Sequence, residues 1–153
     1  MAIALAQQID ANSRTINSNE AILYTAPWTF STLTTGATGA HTVFTVTGDW
    51  IVSALATCSV DLTGAGTIEL GVAGNTAALI AQLADATTLD AGEIWVSGTA
   101  TTGAIAIPTQ KILTNANIIL TIGTTAITAG TIAIYLTARP LSAGATLSVT
   151  TPA

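Results

Sequence analysis

The residues able to do chemistry are few. They are the single histidine His41, the single cysteine Cys58, the carboxylates Asp85, Asp90 and Glu93 of the loop DATTLDAGE, Arg139 beside Pro140, and the glycines of Gly64-x-Gly66. His41 could serve as the base of a triad, which also needs an activated nucleophile and an orienting acid. Ser, Thr and Asp are plentiful, but no Gly-x-Ser-x-Gly elbow occurs. His41 therefore reads as a strand-start or turn residue. One Cys and one His cannot build the usual structural zinc set. Asp85, Asp90 and Glu93 form an oxygen-rich loop of the kind that can hold calcium, although the spacing is not that of an EF-hand. A carboxylate pair for glycoside hydrolysis needs a separation that spacing cannot supply, and few aromatics are present to make a sugar platform. An ordinary solvated loop is the simpler reading. Gly64-x-Gly66 is followed by no helix-opening pattern and is not a dinucleotide fingerprint. No residue is assigned to catalysis, to a cofactor or to a metal, and the chain reads as a non-enzyme.

The elements that would position these residues are strands. Trp50, Val52, Ala54, Ala56, Cys58 and Val60 fall on one face of a strand, and Ile68, Leu70 and Val72 alternate with Thr67, Glu69 and Gly71. Ile118, Leu120 and Ile122 repeat the pattern, and so do Ile132, Ile134 and Leu136 between Thr131, Ala133, Tyr135 and Thr137. A period of two puts each set on one side of a sheet. Cys58 then faces the interior as a buried, inert thiol. Further strands are expected over 21–26, 41–47, 93–97, 104–107 and 145–150. Glycine-bearing turns such as Thr47-Gly48-Asp49, Ala73-Gly74-Asn75 and Ala129-Gly130 separate the runs. The stretch Thr76–Leu83, TAALIAQL, reads as a strand or one helical turn. Many short strands without helical crossovers predict an all-β antiparallel sandwich, a jelly roll. Trp28 and Phe30 fall in an irregular PWTF segment, either plugging the end of the sandwich or anchoring an interface. Arg139 closes a strand, as a solvated residue or as an ion-pair partner for a neighbouring chain.

Composition bounds the partners. The chain has 153 residues, with three Lys or Arg, eight Asp or Glu and a net charge of −5. Half of the residues are hydrophobic, only 7% are charged, and mean hydropathy is +0.64. Thr and Ala number about thirty each, whereas an ordinary soluble protein is about 25% charged. Three basic residues cannot neutralise a phosphate track, which disfavours nucleic acid. No run reaches the roughly 20 apolar residues of a spanning helix, and seven aromatics are too few to ring a membrane barrel twice. The start, MAIALAQQID, lacks the basic and apolar regions of a secretion signal. A surface of about 7,000 Å² so poor in charge is suited to being covered by protein, because Thr, Ala, Ser and Gly desolvate without burying charge.

Three stretches carry a resemblance: HTVFTVTGDWIVSALATC at His41–Cys58, GAGTIELGVAGNTAALIAQ at Gly64–Gln82 and GTIAIYLTARPLSAG at Gly130–Gly144. In them the chain resembles the small jelly-roll virion proteins of tailed bacteriophages, of the head decoration and head-fibre type. The resemblance implies a single jelly roll, assembly as homotrimers and attachment to a major capsid protein on the capsid surface, after synthesis in the host cytoplasm. Related jelly rolls in tail fibres and baseplates leave a host-binding adhesin as the alternative, and a shell subunit as a further one. Residues 1–19, rich in Asn and Gln, read as an N-terminal arm before a single domain over 20–153. Met1–Ile9 could form two helical turns, and Ile3, Leu5, Ile9 and Ile16 are the expected anchors on a neighbour or a capsid. Trp28, Phe30 and Arg139 complete the candidate interface residues.

Overall fold

The computed structural model describes residues 21–103 and 108–150, together with the backbone of two short strands, β1 (Gln8–Ile9) and β2 (Thr15–Ile16). β1 and β2 pair antiparallel, so the backbone at Gln8–Ile9 is extended rather than part of the helical turns expected there. The anchors Ile3 and Leu5, the side chains of Ile9 and Ile16, and the strand expected over 104–107 lie outside the described residues.

The remaining strands are β3 (Ile22–Thr29), β4 (Gly39–Thr47), β5 (Asp49–Thr63), β6 (Thr67–Val72), β7 (Asn75–Leu83), β8 (Ile94–Trp95), β9 (Ala100–Thr101), β10 (Lys111–Thr114), β11 (Ile118–Gly123), β12 (Ala129–Pro140) and β13 (Thr146–Val149). Among the described residues, the one helical element is a 3-10 turn at Ala86–Thr88. The first sheet runs β3-β12-β5-β8-β9, with β10 on the start of β5; the second runs β13-β4-β11-β6-β7. All pairs are antiparallel. β3 pairs with β12, β4 with β11, β5 with β8 and β10, and β6 with β7. The all-β antiparallel sandwich is as the alternation predicts.

The core lies between the sheets. The first sheet supplies most of the small side chains, with Ala26, Ala54, Ala56, Cys58 and Ala138 buried beside Ile132, Ile134 and Leu136. The second supplies large ones, Phe44, Ile68, Leu70, Ile80, Ile118 and Leu120, each wholly buried. Small against large lets two twisted sheets interdigitate at interior density. Three tryptophans fill the gaps, and each indole N–H finds a carbonyl. Trp28 donates to Thr35 at 3.0 Å, Trp50 to Thr47 at 3.0 Å and Trp95 to Ala81 at 3.2 Å. The Trp95 bond ties β8 of one sheet to β7 of the other.

Local departures from alternation have identifiable causes. Val43 and Phe44 are both buried although adjacent, because a bulge in the β4–β11 register falls there. The stretch TAALIAQL is strand, and register shifts against β6 likewise bury both Leu79 and Ile80. Val60 does not share the inward face of Cys58: it is 54% exposed, where two irregularities bend β5 away from regular pairing with β12. Trp28 is in β3 rather than in an irregular segment, and Pro27 beside it is tolerated because β3 is an edge strand. Asn115, with φ of 48°, accepts from the Gly48 N–H at 2.8 Å through its side chain, and Asn117 accepts from Val46 at 2.9 Å. The segment before β11 thus clasps the β4–β5 turn.

Gly130, at φ +116°, makes one of the β5–β12 bulges possible. A Cβ there would lie 2.5 Å from Leu62 Cδ2 and 2.6 Å from the Asp61 carbonyl oxygen. Gly74 also has positive φ but has open space around it. Gly74→Ala is expected to cost about 1 kcal/mol for the backbone alone. Gly130→Ala, which adds a collision, is expected to cost about 2–4 kcal/mol. Urea unfolding of the two variants beside the parent checks the order.

Candidate interaction surface

The residues that could do chemistry are dispersed and structurally occupied. His41 is half-buried at the start of β4, its ring edge-on to Trp28 with centroids 5.9 Å apart. Its Nε2 lies 2.7 Å from the Ala37 carbonyl oxygen. A carbonyl can only accept, so Nε2 carries the proton and the ring holds down the 31–38 loop. Cys58 is buried, its thiol 3.1 Å from the Val60 carbonyl oxygen and 3.5 Å from that of Leu89. Burial pushes the thiol above its ordinary value.

The carboxylates of DATTLDAGE cap their own loop. Asp85 Oδ1 accepts from the Thr87 backbone N–H at 2.9 Å and from its hydroxyl at 2.6 Å. Those bonds hold the Asp85 carboxyl below the usual range. Glu93 accepts from the Asp90 N–H at 2.8 Å, and Asp61 from the Ala91 N–H at 2.7 Å. The loop is also pinned to β5, with Gly92 donating to Cys58 and Cys58 to Glu93, each at 2.9 Å. Among the described residues, no group of three or more His, Cys, Asp or Glu is placed to hold a metal ion. No helix among them is long and apolar enough to cross a membrane.

Of the two roles open to Trp28 and Phe30, burial selects the plug. They are 2% and 4% exposed, which leaves no surface for the interface role. Arg139 is half-buried near the end of β12, opposite Ile51.

The outer faces of the sheets differ in chemistry. On the second sheet, register sets Thr121 beside Glu69 and Gly123 beside Thr67, and Ser148 lies opposite Thr45. Glu69 accepts from the Gln82 amide at 3.3 Å, and Thr45 and Thr150 hydroxyls sit 3.2 Å apart. That face is hydroxyl-rich. On the first sheet, one row reads Ile112, Ile51, Arg139; the next reads Ser53, Thr137, Leu23; the next Leu55, Tyr135, Thr25. Leu23 and Ile112 are 62% and 70% exposed. These rows enclose an open groove of about 540 Å³, lined by Leu23, Ser53, Leu55, Tyr135 and Thr137, with Pro108 and Gln110 at its rim. An exposed apolar patch rimmed by polar groups is the signature of an interaction surface.

Leu23, Leu55, Ile112 and Pro108 were not among the residues whose type or spacing pointed to a surface. The signal was present, since Leu55 and Tyr135 occupy the outward phase of their strands. Only register shows that they are neighbours.

Two measurements check these assignments. A thiol reagent at pH 8 is expected to label Cys58 slowly in the folded chain and rapidly in denaturant; equal rates would place the thiol at the surface. For Asp85, whose carboxyl is held below its usual 3.8, the stabilisation is present above that value and lost as pH falls through the lower folded value. Asp85→Ala should therefore be less stable than the parent at pH 7, with the gap closing below about pH 4. A gap independent of pH would show that the charge plays no part.

Against known proteins, the chain matches no family model, no curated protein and no solved structure.

Proposed function

We propose that this chain is a structural virion protein of a tailed bacteriophage, a decoration or cement protein that self-associates, as a trimer, and covers the major capsid protein. The observation that carries the reading is the outer face of the first sheet. There Leu23, Leu55, Ile112 and Tyr135 share one outer face in a chain with only three basic and eight acidic residues. Left in water, such a face is an aggregation liability; covered, its apolar area contributes about 25 cal/mol per Å². The threonine face of the opposite sheet suits a second contact, because its side chains order at little entropic cost. The antiparallel sandwich and the resemblance of His41–Cys58, Gly64–Gln82 and Gly130–Gly144 support the same reading. The trimer number rests on the resemblance alone.

The mechanism is thermodynamic. A protein that binds the assembled shell and not its separated subunits stabilises the shell by mass action, by RT ln(1 + [L]/Kd). Symmetry-related contacts from one oligomer add avidity. No bond is made or broken.

Immunogold labelling of phage particles propagated from the source of this sequence tests the role. Label over the head is the expected result. Label confined to the tail would replace the reading with the adhesin, and particles without label would overturn it. Stripping the protein should lower the temperature at which the heads open, and adding it back should restore that temperature.

A further inference from the structure

The charges of the folded chain are sorted along β5. Near its start are Arg139, opposite Ile51, and Lys111, opposite Val52, with Asp49 as the carboxylate at this end. Near its finish are Asp61, Asp90 and Glu93, drawn together by the Ala91–Asp61 and Asp90–Glu93 bonds, with Asp85 following where Ala86 donates to Gly66. The two groups are separated by about 30 Å of strand. Exposed apolar groups are sorted too. From the basic end to the middle of β5 runs the groove with Leu23, Leu55 and Tyr135, and Ile112 lies beside Ile51 at its basic side. The acidic end carries Val60 and Leu33, the latter 89% exposed on the 31–38 loop. That loop is at the acidic end because Phe30 donates to Gly130, which abuts Asp61 and Leu62.

We propose that a second copy of this chain docks head to tail, with Leu33 and Val60 of one copy entering the first-sheet groove of the next. Asp61, Asp90 and Glu93 then face Arg139 and Lys111 across the contact. The proposal deepens the self-association reading and rests on it. Two observations select a second copy as the occupant. The ends are complementary in charge, and each pairs its charge with unburied apolar side chains. A contact that joins two different patches is heterologous, so it must close into a ring or continue as a filament. It accounts for a closed trimer without an isologous face. The apolar insertion supplies affinity, and the charges fix polarity and exclude head-to-head encounters.

The test is the solution mass of the full chain by light scattering and sedimentation, with far-UV spectra and thermal melts as folding controls. The parent is expected to be a closed oligomer at micromolar concentration and to weaken as salt rises, because rim charges are screened. Leu33→Asp, in an exposed loop that folding tolerates, and Arg139→Asp should each weaken association by about tenfold or more. Asp90→Arg should do likewise, whereas Arg139→Asp combined with Asp90→Arg in one chain should recover association. Asp61 and Glu93 are left intact because their carboxylates hold loop N–H groups. An oligomeric parent indifferent to Leu33→Asp and Arg139→Asp would overturn this contact while leaving self-association in place. Failure of the charge exchange to recover association would overturn the head-to-tail pairing. A monomeric parent would overturn the contact whatever the immunogold labelling shows.

Discussion

The ladder between β5 and β12 is the constraint on which the molecule depends. β5 is 15 residues long and β12 is 12, and they pair from Pro140–Trp50 to Ala129–Thr63. β3 pairs with β12, β8 and β10 pair with β5, and β9 follows on β8. Their inward side chains are mostly small, Ala54, Ala56, Cys58 and Ala138, with Ile132, Ile134 and Leu136 between them. That leaves room for the aliphatic wall of the second sheet to approach. A larger residue at Ala56 would meet a filled interior, since overpacking a close-packed core displaces neighbours rather than finding space. The same ladder fixes where charge lies, because Arg139 at one end and Asp61 at the other are held by its register.

Inside and outside are solved with different side chains. The interior is satisfied almost completely: all three indoles donate to carbonyls, and the Cys58 thiol lies against two more. Thr121 Oγ1 is the buried side-chain polar atom without a partner among the described residues. The exterior splits into a hydroxyl face and an apolar face. Threonine suits the first, because a β-branched residue fits the pleat and its hydroxyl can bond across strands, as Thr45 does with Thr150 at 3.2 Å. On the second face Leu23, Leu55 and Ile112 have no such partners, and they gain only by being covered. The few carboxylates are spent mainly on loop N–H groups, which is why the acid-rich loop is a folded turn held to β5 and not an open ligand cage.

Legibility followed physical range. Ile68 and Leu70, Ile118 to Ile122 and Ile132 to Leu136 were readable as inward sets, because alternation is a property of one strand. The Gly48 and Gly74 turns were readable because each needs a positive φ that glycine adopts freely. Val60 was misread as inward, and adjacent Val43 and Phe44 break the rule of two, because a bulge is a property of a pair of strands. β10 went unseen: Lys-Ile-Leu-Thr has only Leu113 inward, and pairing with the start of β5 defines it. The candidate surface escaped for the same reason, since Leu23, Leu55 and Tyr135 come from three strands far apart in the chain.

The amino-acid order by itself determined the class of fold, the membership of the core and the poverty of charge, because these depend on side-chain type and a period of two. It also determined that Trp50 and Cys58 would be interior. Only the tertiary structure decided which strands are neighbours, which outer face is apolar, that Trp28 and Phe30 are buried, and that Lys111 and Arg139 lie near one end of β5 with Asp61, Asp90 and Glu93 near the other. Those facts depend on hydrogen-bond register between distant segments. Register is set by the joint packing of two sheets, which no single stretch of sequence encodes.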